Sequence, residues 1–163
     1  MEKIIVIGCP GSGKSTFSRA LHQITGIPLV HLDMLYWNRD KTTVEKAVFL
    51  ERLAKAMRQH RWIIDGNYAS TMELRMQACD TVIFLDYPVG LCLEGIRQRR
   101  CTVRSDMPWV ETEEDAEFLA FIQNYNRQNR PEVLHLLNLY PQKEIHIFQN
   151  RSEAEAFLAQ LQI

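Results

Sequence analysis

The sequence contains no apolar stretch approaching the roughly twenty residues that a membrane-spanning helix requires, which excludes an α-helical membrane anchor within it. Its start is acidic and passes at once into the strand-like run KIIVI, without a basic region, long apolar segment and small-residue cleavage site. No secretory leader is therefore expected, and the expected location is the cytoplasm. Cysteine is sparse: Cys9, Cys79, Cys92 and Cys101 form no C-x-x-C pair and have no histidine partner at zinc-ligand spacing. They read as reduced thiols, most of them core filler. An excess of either charge is also missing, since 19 Lys+Arg against 20 Asp+Glu leave a net charge of −1. That balance gives no global pull toward nucleic acid or anionic membrane and argues against nucleic acid as a partner. Internal repeats and low-complexity linkers are absent. With 163 residues and 46% apolar content, the chain suffices for one core and is short for two, so residues 1–163 are expected to form a single domain.

What is present begins with GCPGSGKST at residues 8–16, which packs three glycines, a proline, a lysine and two adjacent hydroxyls into nine positions. Gly8, Gly13, Lys14 and Ser15 match G-x-x-x-x-G-K-[ST] at every fixed position. The pattern lies where it must, after the strand-like Lys3–Ile7 and before Lys14–Thr25, whose Phe17, Ala20, Leu21 and Ile24 recur at helical spacing. Glycines let successive backbone N–H groups converge on phosphate oxygens, and the helix behind them presents its positive end. Gly8, Pro10, Gly11, Ser12, Gly13, Lys14, Ser15 and Thr16 are thus the expected nucleotide-binding residues. Lys14 would reach the β/γ-phosphates, Ser15 would ligate Mg²⁺, and Thr16 would add an α-phosphate contact. The loop by itself calls for a nucleoside triphosphate with Mg²⁺. Cys9 within the loop is read as a tolerated variable position.

Strands are further expected at Ile27–Leu32, Arg61–Asp65, Thr81–Leu85 and Glu144–Phe148, the third and fourth strands being continuous apolar runs suited to burial on two faces. Helices are expected over Thr43–His60, Ser70–Ala78, Pro88 to about Arg100, one long stretch Glu113–Leu139, and from Ser152, where S-E-A-E fits a capping box. Strands alternating with helices imply a three-layer α/β fold around a parallel sheet. Asp33–Thr42 and Cys101–Thr112 depart from this rhythm, and both follow element ends, where open α/β sheets carry function.

The order of GCPGSGKST, HLD at 31–33, IIDGNY at 63–68, and FLDYP followed by a helix ending RQRR resembles the P-loop kinases of small molecules, the adenylate-kinase-like group. Within that group HLDMLYW, IIDGNY and the arginine-rich helix are most similar to the topology modulation (FlaR-type) proteins. The resemblance implies a P-loop NTPase fold with a five-stranded sheet in the order 2-3-1-4-5. It also implies an acceptor-binding lobe over residues 33–60 and a mobile lid over 100–115. Asp33, expected at the carboxyl end of the second strand, would orient or deprotonate an acceptor hydroxyl, or hold a Mg²⁺-bound water, with a turn aspartate as the plainer alternative. Asp65 is a similar candidate, whereas Asp86 is read as capping the helix at Pro88, and His31 as a partly buried strand residue. Tyr36 and Trp37 would stack on a base or sugar or pin the lobe to the core. Tyr68 and Arg75 follow IIDGNY where related kinases bind acceptor, Arg75 either clamping a phosphate or pairing with a surface acid.

Of the cluster Arg97, Arg99, Arg100 and Arg104, Arg100 and Arg104 are the candidates for cations on the transferring phosphoryl group; the alternative is an ordinary response to the helix dipole. Two positions depart from the family pattern. Gly95 stands where an arginine usually covers the base, and Ala120-Phe121-Ile122 precede Tyr125 where a lid arginine is usual, with Arg127 and Arg130 just beyond. The expected function is transfer of the ATP γ-phosphate to a small acceptor, a nucleoside or nucleotide favoured. The alternatives are a non-catalytic nucleotide-binding regulator and a DNA-associated ATPase affecting topology.

Overall fold

A computed structural model describes residues 1–163. Five strands, β1 (Lys3–Gly8), β2 (Leu29–His31), β3 (Trp62–Asp65), β4 (Thr81–Leu85) and β5 (Glu144–Phe148), form one sheet in the order β2-β3-β1-β4-β5, every pairing parallel. This is the expected 2-3-1-4-5 arrangement. The helices are α1 (Lys14–Thr25), α2 (Leu32–Tyr36), α3 (Lys46–Met57), α4 (Ala69–Ala78), α5 (Val89–Arg99), α6 (Ala116–Gln128), α7 (Arg130–Leu139) and α8 (Arg151–Gln160). None is long and apolar enough to cross a membrane.

Side chains alternate along a strand, so a sheet with both faces covered needs apolar residues at every position. In β1, Ile4 and Val6 enter one core with Phe17, Leu21, Ile83 and Ile96, while Ile5 and Ile7 enter the opposite core with Phe49, Leu53, Val82 and Val133. All four β1 residues are fully buried. Each such aliphatic side chain contributes about 1.5–3 kcal/mol by leaving water. The central strands carry the carboxyl ends of β1 and β3 to one rim, where the glycine loop and Asp65 emerge together.

Among the boundaries that differ from expectation, four have a visible cause. The second strand ends at His31, and Asp33 lies in the first turn of α2, because Leu32 is fully buried beneath Gly66 and draws the chain into a helix there. Helix α3 begins at Lys46, not Thr43, since Thr43 pairs antiparallel with Trp37 and Val44 donates its N–H to the Tyr36 carbonyl. The stretch Glu113–Leu139 is two helices broken at Asn129, with Pro131 in the first turn of α7, where a missing N–H costs nothing. The last helix is capped by Asn150, which accepts from the Glu153 N–H, while the Glu153 carboxylate accepts from the Gln149 N–H. That box is shifted two residues from Ser152.

Candidate active site

The phosphate loop is held open by its glycines and by what packs against them. Gly11 (φ 85°) and Gly13 (φ 92°) occupy the left-handed region, which L side chains rarely adopt. Space excludes a side chain at Gly11 as well, because a Cβ there would lie 2.0 Å from the Cys92 carbonyl oxygen. The contact is reciprocal: a Cβ on Gly95 would lie 2.1 Å from the Gly11 carbonyl oxygen. Helix α5 therefore rests directly on the loop, which is why glycine, not arginine, stands at position 95. Gly13 precedes α1 with no side-chain cap, leaving the first-turn N–H groups of that helix to an anion. Ser12 Oγ is buried in the loop without a hydrogen-bond partner. An open helix terminus, a glycine cradle and an unpaired buried hydroxyl fit a phosphate group. Pro10 and Thr16 line the same cavity, and the Thr16 hydroxyl accepts from Arg19.

Lys14 folds back on its loop, its Nζ donating to the Gly8 and Cys9 carbonyls at 2.9 and 3.2 Å. Desolvation there holds the ammonium below the usual lysine range, opposed chiefly by the Asp65 charge. Gly8 is clamped by Asn67, whose amide accepts from the Gly8 N–H at 3.2 Å and donates to its carbonyl at 2.6 Å. Asn67 escaped the sequence reading although IIDGNY contains it.

Beside the loop, Asp65 is 4% exposed and accepts from His31 Nδ1 at 2.7 Å, across the β2–β3 register that pairs these two residues. Burial lowers the His31 pKa, and the hydrogen bond and charge of Asp65 more than offset it, so the net shift is upward. Asp33 accepts a hydrogen bond from the Tyr68 hydroxyl. Burial lifts the Asp33 carboxyl above the usual carboxylate range, with the Tyr68 bond and the Lys14 charge pulling the other way.

Arg75 has a different place from either one expected. It is fully buried, away from the cavity, and its guanidinium donates to the carbonyls of Gly66, Asn67 and Tyr68 and to the Thr71 hydroxyl. Those bonds fix the turn in which Tyr68 adopts φ 40°, an arrangement that costs a non-glycine residue on the order of 1–3 kcal/mol. Asp86 likewise does not cap at Pro88: it accepts from Arg130 Nε and Nη2, both at 2.8 Å, and from Gln149 at 3.1 Å.

A cavity of about 1540 Å³ runs from the phosphate loop past Asp33, Asp65, Tyr68 and Trp37 to the segment between α5 and α6. That segment, residues 101–115, contains neither helix nor strand and folds over the loop. Arg99 and Arg104 both bond to Glu111, at 3.2 and 3.3 Å; Arg104 also lies 3.7 Å from Asp106; Arg100 pairs with Glu114 at 3.3 Å. Arg97 is exposed and does not line the cavity. Asp106 Oδ2 accepts from Ser15 Oγ at 2.6 Å, and Trp109 packs on Trp37. Asp106, Trp109 and Glu111 went unnoticed in the sequence because nothing local marks which partners a loop residue will meet; that of Asp106 lies 91 positions away. No group of three His, Cys, Asp or Glu side chains is arranged to hold a metal. An ion here would rest on nucleotide phosphates together with Ser15, a donor set suited to Mg²⁺.

No protein-family model matches the chain, nor does any curated protein sequence. Solved structures do. Shikimate kinase from Bacteroides thetaiotaomicron superposes with a TM-score of 0.61 at 22% identity, over 98% of this chain and 95% of that one. Shikimate kinase from Acinetobacter baumannii, in complex with shikimate, superposes with a TM-score of 0.66 at 15% identity, over 99% and 90%. The fold is the shikimate kinase fold. At these identities the likeness concerns the arrangement of sheet, loop and helices.

Proposed function

We propose that the protein is a phosphotransferase that passes the γ-phosphoryl group of ATP to a hydroxyl of a small acceptor. The observation that carries this reading is the convergence, in one cavity, of the phosphate loop with Lys14 and of Asp33, a carboxylate whose pKa burial has raised toward that of a useful base. ATP·Mg²⁺ supplies the phosphoryl group and the cation that neutralises it. Gly8 to Thr16 hold the phosphates, Ser15 holds the ion, and Lys14 swings from its own loop carbonyls to the phosphate oxygens. Asp33, oriented by Tyr68, takes the proton from the acceptor hydroxyl. Arg100 and Arg104 come from the lid at 100–115, and Arg99, which lines the same cavity, joins them. The acceptor lies in the lobe spanning 33–60, against Trp37, Asp65 and Tyr68.

The acceptor is a compact hydroxylated molecule of the kind represented by shikimate in the Acinetobacter complex, in preference to a nucleoside or nucleotide. Likeness to shikimate kinases over nearly the whole chain supports that preference. The narrower resemblance to topology modulation proteins rests on HLDMLYW, IIDGNY and the arginine-rich helix after FLDYP, and small-molecule phosphorylation is compatible with it.

The test is ADP release measured over a panel of shikimate, other cyclic polyols and hydroxy acids, sugars and nucleosides, with Lys14→Ala as control. An acceptor-dependent rate that Lys14→Ala abolishes supports the reading. A rate flat across the panel replaces it with a nucleotide-binding regulator.

A further inference from the structure

The lid carries an acidic residue to the one phosphate-loop side chain expected to touch the metal. Ser15 Oγ has a single proton and two lone pairs. In the folded chain that proton is directed at Asp106 Oδ2, 2.6 Å away, which leaves the lone pairs of Ser15 facing elsewhere. Asp106 is 5% exposed, and its other oxygen, Oδ1, is buried without a hydrogen bond, its nearest cation being Arg104 Nε at 3.7 Å. The carboxylate thus has one oxygen engaged on Ser15 and a second free to receive a donor.

We infer that Asp106 is a positioning residue for Mg²⁺: it accepts the Ser15 proton, aims the hydroxyl lone pair at the ion and offers Oδ1 to a water of the ion's shell, so that lid closure and metal binding are coupled. The inference rests on the phosphotransferase reading above. Its chemistry follows from the hydroxyl itself. A hydroxyl whose proton is held by a carboxylate is a more electron-rich ligand than one bonded to water, and groups that orient a ligand in this way commonly govern metal affinity. The charge balance supports a metal-directed role over a competing one. Arg104 on Asp106 makes the pair near neutral, so its arrival beside the loop does not set an uncompensated anion against the phosphates. Two further contacts hold the segment in register, Arg19 with Ser105 at 3.2 Å and Trp109 with Trp37. Asp106 and Ser15 are 91 residues apart, so their bond exists only while the lid is folded over the loop.

The experiment is titration of Mn²⁺, followed by electron paramagnetic resonance, into the full chain saturated with a non-hydrolysable ATP analogue, for wild type, Asp106→Asn and Asp106→Glu. Binding of the analogue in EDTA is measured in parallel. Asp106→Asn should weaken Mn²⁺ by about tenfold or more, Asp106→Glu should recover most of the loss, and analogue binding in EDTA should be unchanged. Unchanged Mn²⁺ affinity in Asp106→Asn overturns the inference. Tighter analogue binding in EDTA overturns it too, by making Asp106 an anion that competes with phosphate. If wild type itself binds no Mn²⁺·analogue, the phosphotransferase reading fails and this inference with it, an outcome distinct from failure of Asp106 alone.

Discussion

The indole of Trp37 meets the indole of Trp109 edge-on, with ring centroids 5.7 Å apart. Lys41 Nζ lies 5.1 Å from the centroid of the Trp109 ring. One tryptophan belongs to the expected acceptor lobe and the other to the expected lid, so an aromatic clasp joins the two across the cavity. Tyr36 backs the clasp from the core side, its ring edge-on to Trp37 at 5.5 Å. The same ring packs against Phe49 and Tyr68, pinning α2 to the core.

Edge-to-face aromatic pairs contribute about 0.5–1.5 kcal/mol beyond area burial, and Trp109→Ala removes that increment from the closed form. The acceptor KM is then expected to rise by up to about tenfold, because each 1.36 kcal/mol is a factor of ten. ATP hydrolysis without acceptor should increase as water gains access. Trp109→Phe should retain most of the wild-type behaviour. Steady-state kinetics that leave both quantities unchanged in Trp109→Ala would show that the clasp has no part in closure.

For Asp33 and Tyr68 the sign of the pH effect can be worked out. A base must be ionised, so turnover falls as pH drops through the Asp33 pKa, which burial places above the usual carboxylate range. The Tyr68 hydroxyl stabilises the ionised form, so Tyr68→Phe raises the Asp33 pKa further and moves the acid limb of kcat to higher pH. Asp33→Asn should lower kcat by about 10²–10⁴-fold with ATP affinity retained. A pH–rate profile for Tyr68→Phe superimposable on wild type would remove Asp33 as the base.

Arg75 should act on stability, not on turnover. Its loss strands the carbonyls of Gly66 and Asn67 around a left-handed turn, at about 1–3 kcal/mol for each unpaired group, while the Tyr68 carbonyl keeps the Thr71 N–H and hydroxyl. Arg75→Met is therefore expected to cost about 3 kcal/mol or more in urea unfolding. A stable variant with selectively weakened acceptor binding would return Arg75 to the role of a phosphate clamp.

How much was legible beforehand follows the range of the interactions involved. The phosphate loop was readable because its requirements are local: glycines at fixed spacing between an apolar run and a helix. The strand order followed from the resemblance, and the burial of the central strands on both faces from their continuous apolar runs. Gly95 was visible as a departure, but its cause, the backbone of Gly11 lying against it, was not. Arg75 and Asp86 were misjudged for a common reason. Their partners are buried carbonyls in one case and an arginine 44 residues away in the other.

By itself, then, the sequence determined the phosphate loop, the alternation of strand and helix and the two odd segments, since backbone conformation and side-chain periodicity are written into neighbouring residues. Only the tertiary structure decided which charges meet. It paired Ser15 with Asp106, His31 with Asp65 and Trp37 with Trp109, because a polar side chain acquires its role from the burial and partners that packing brings to it.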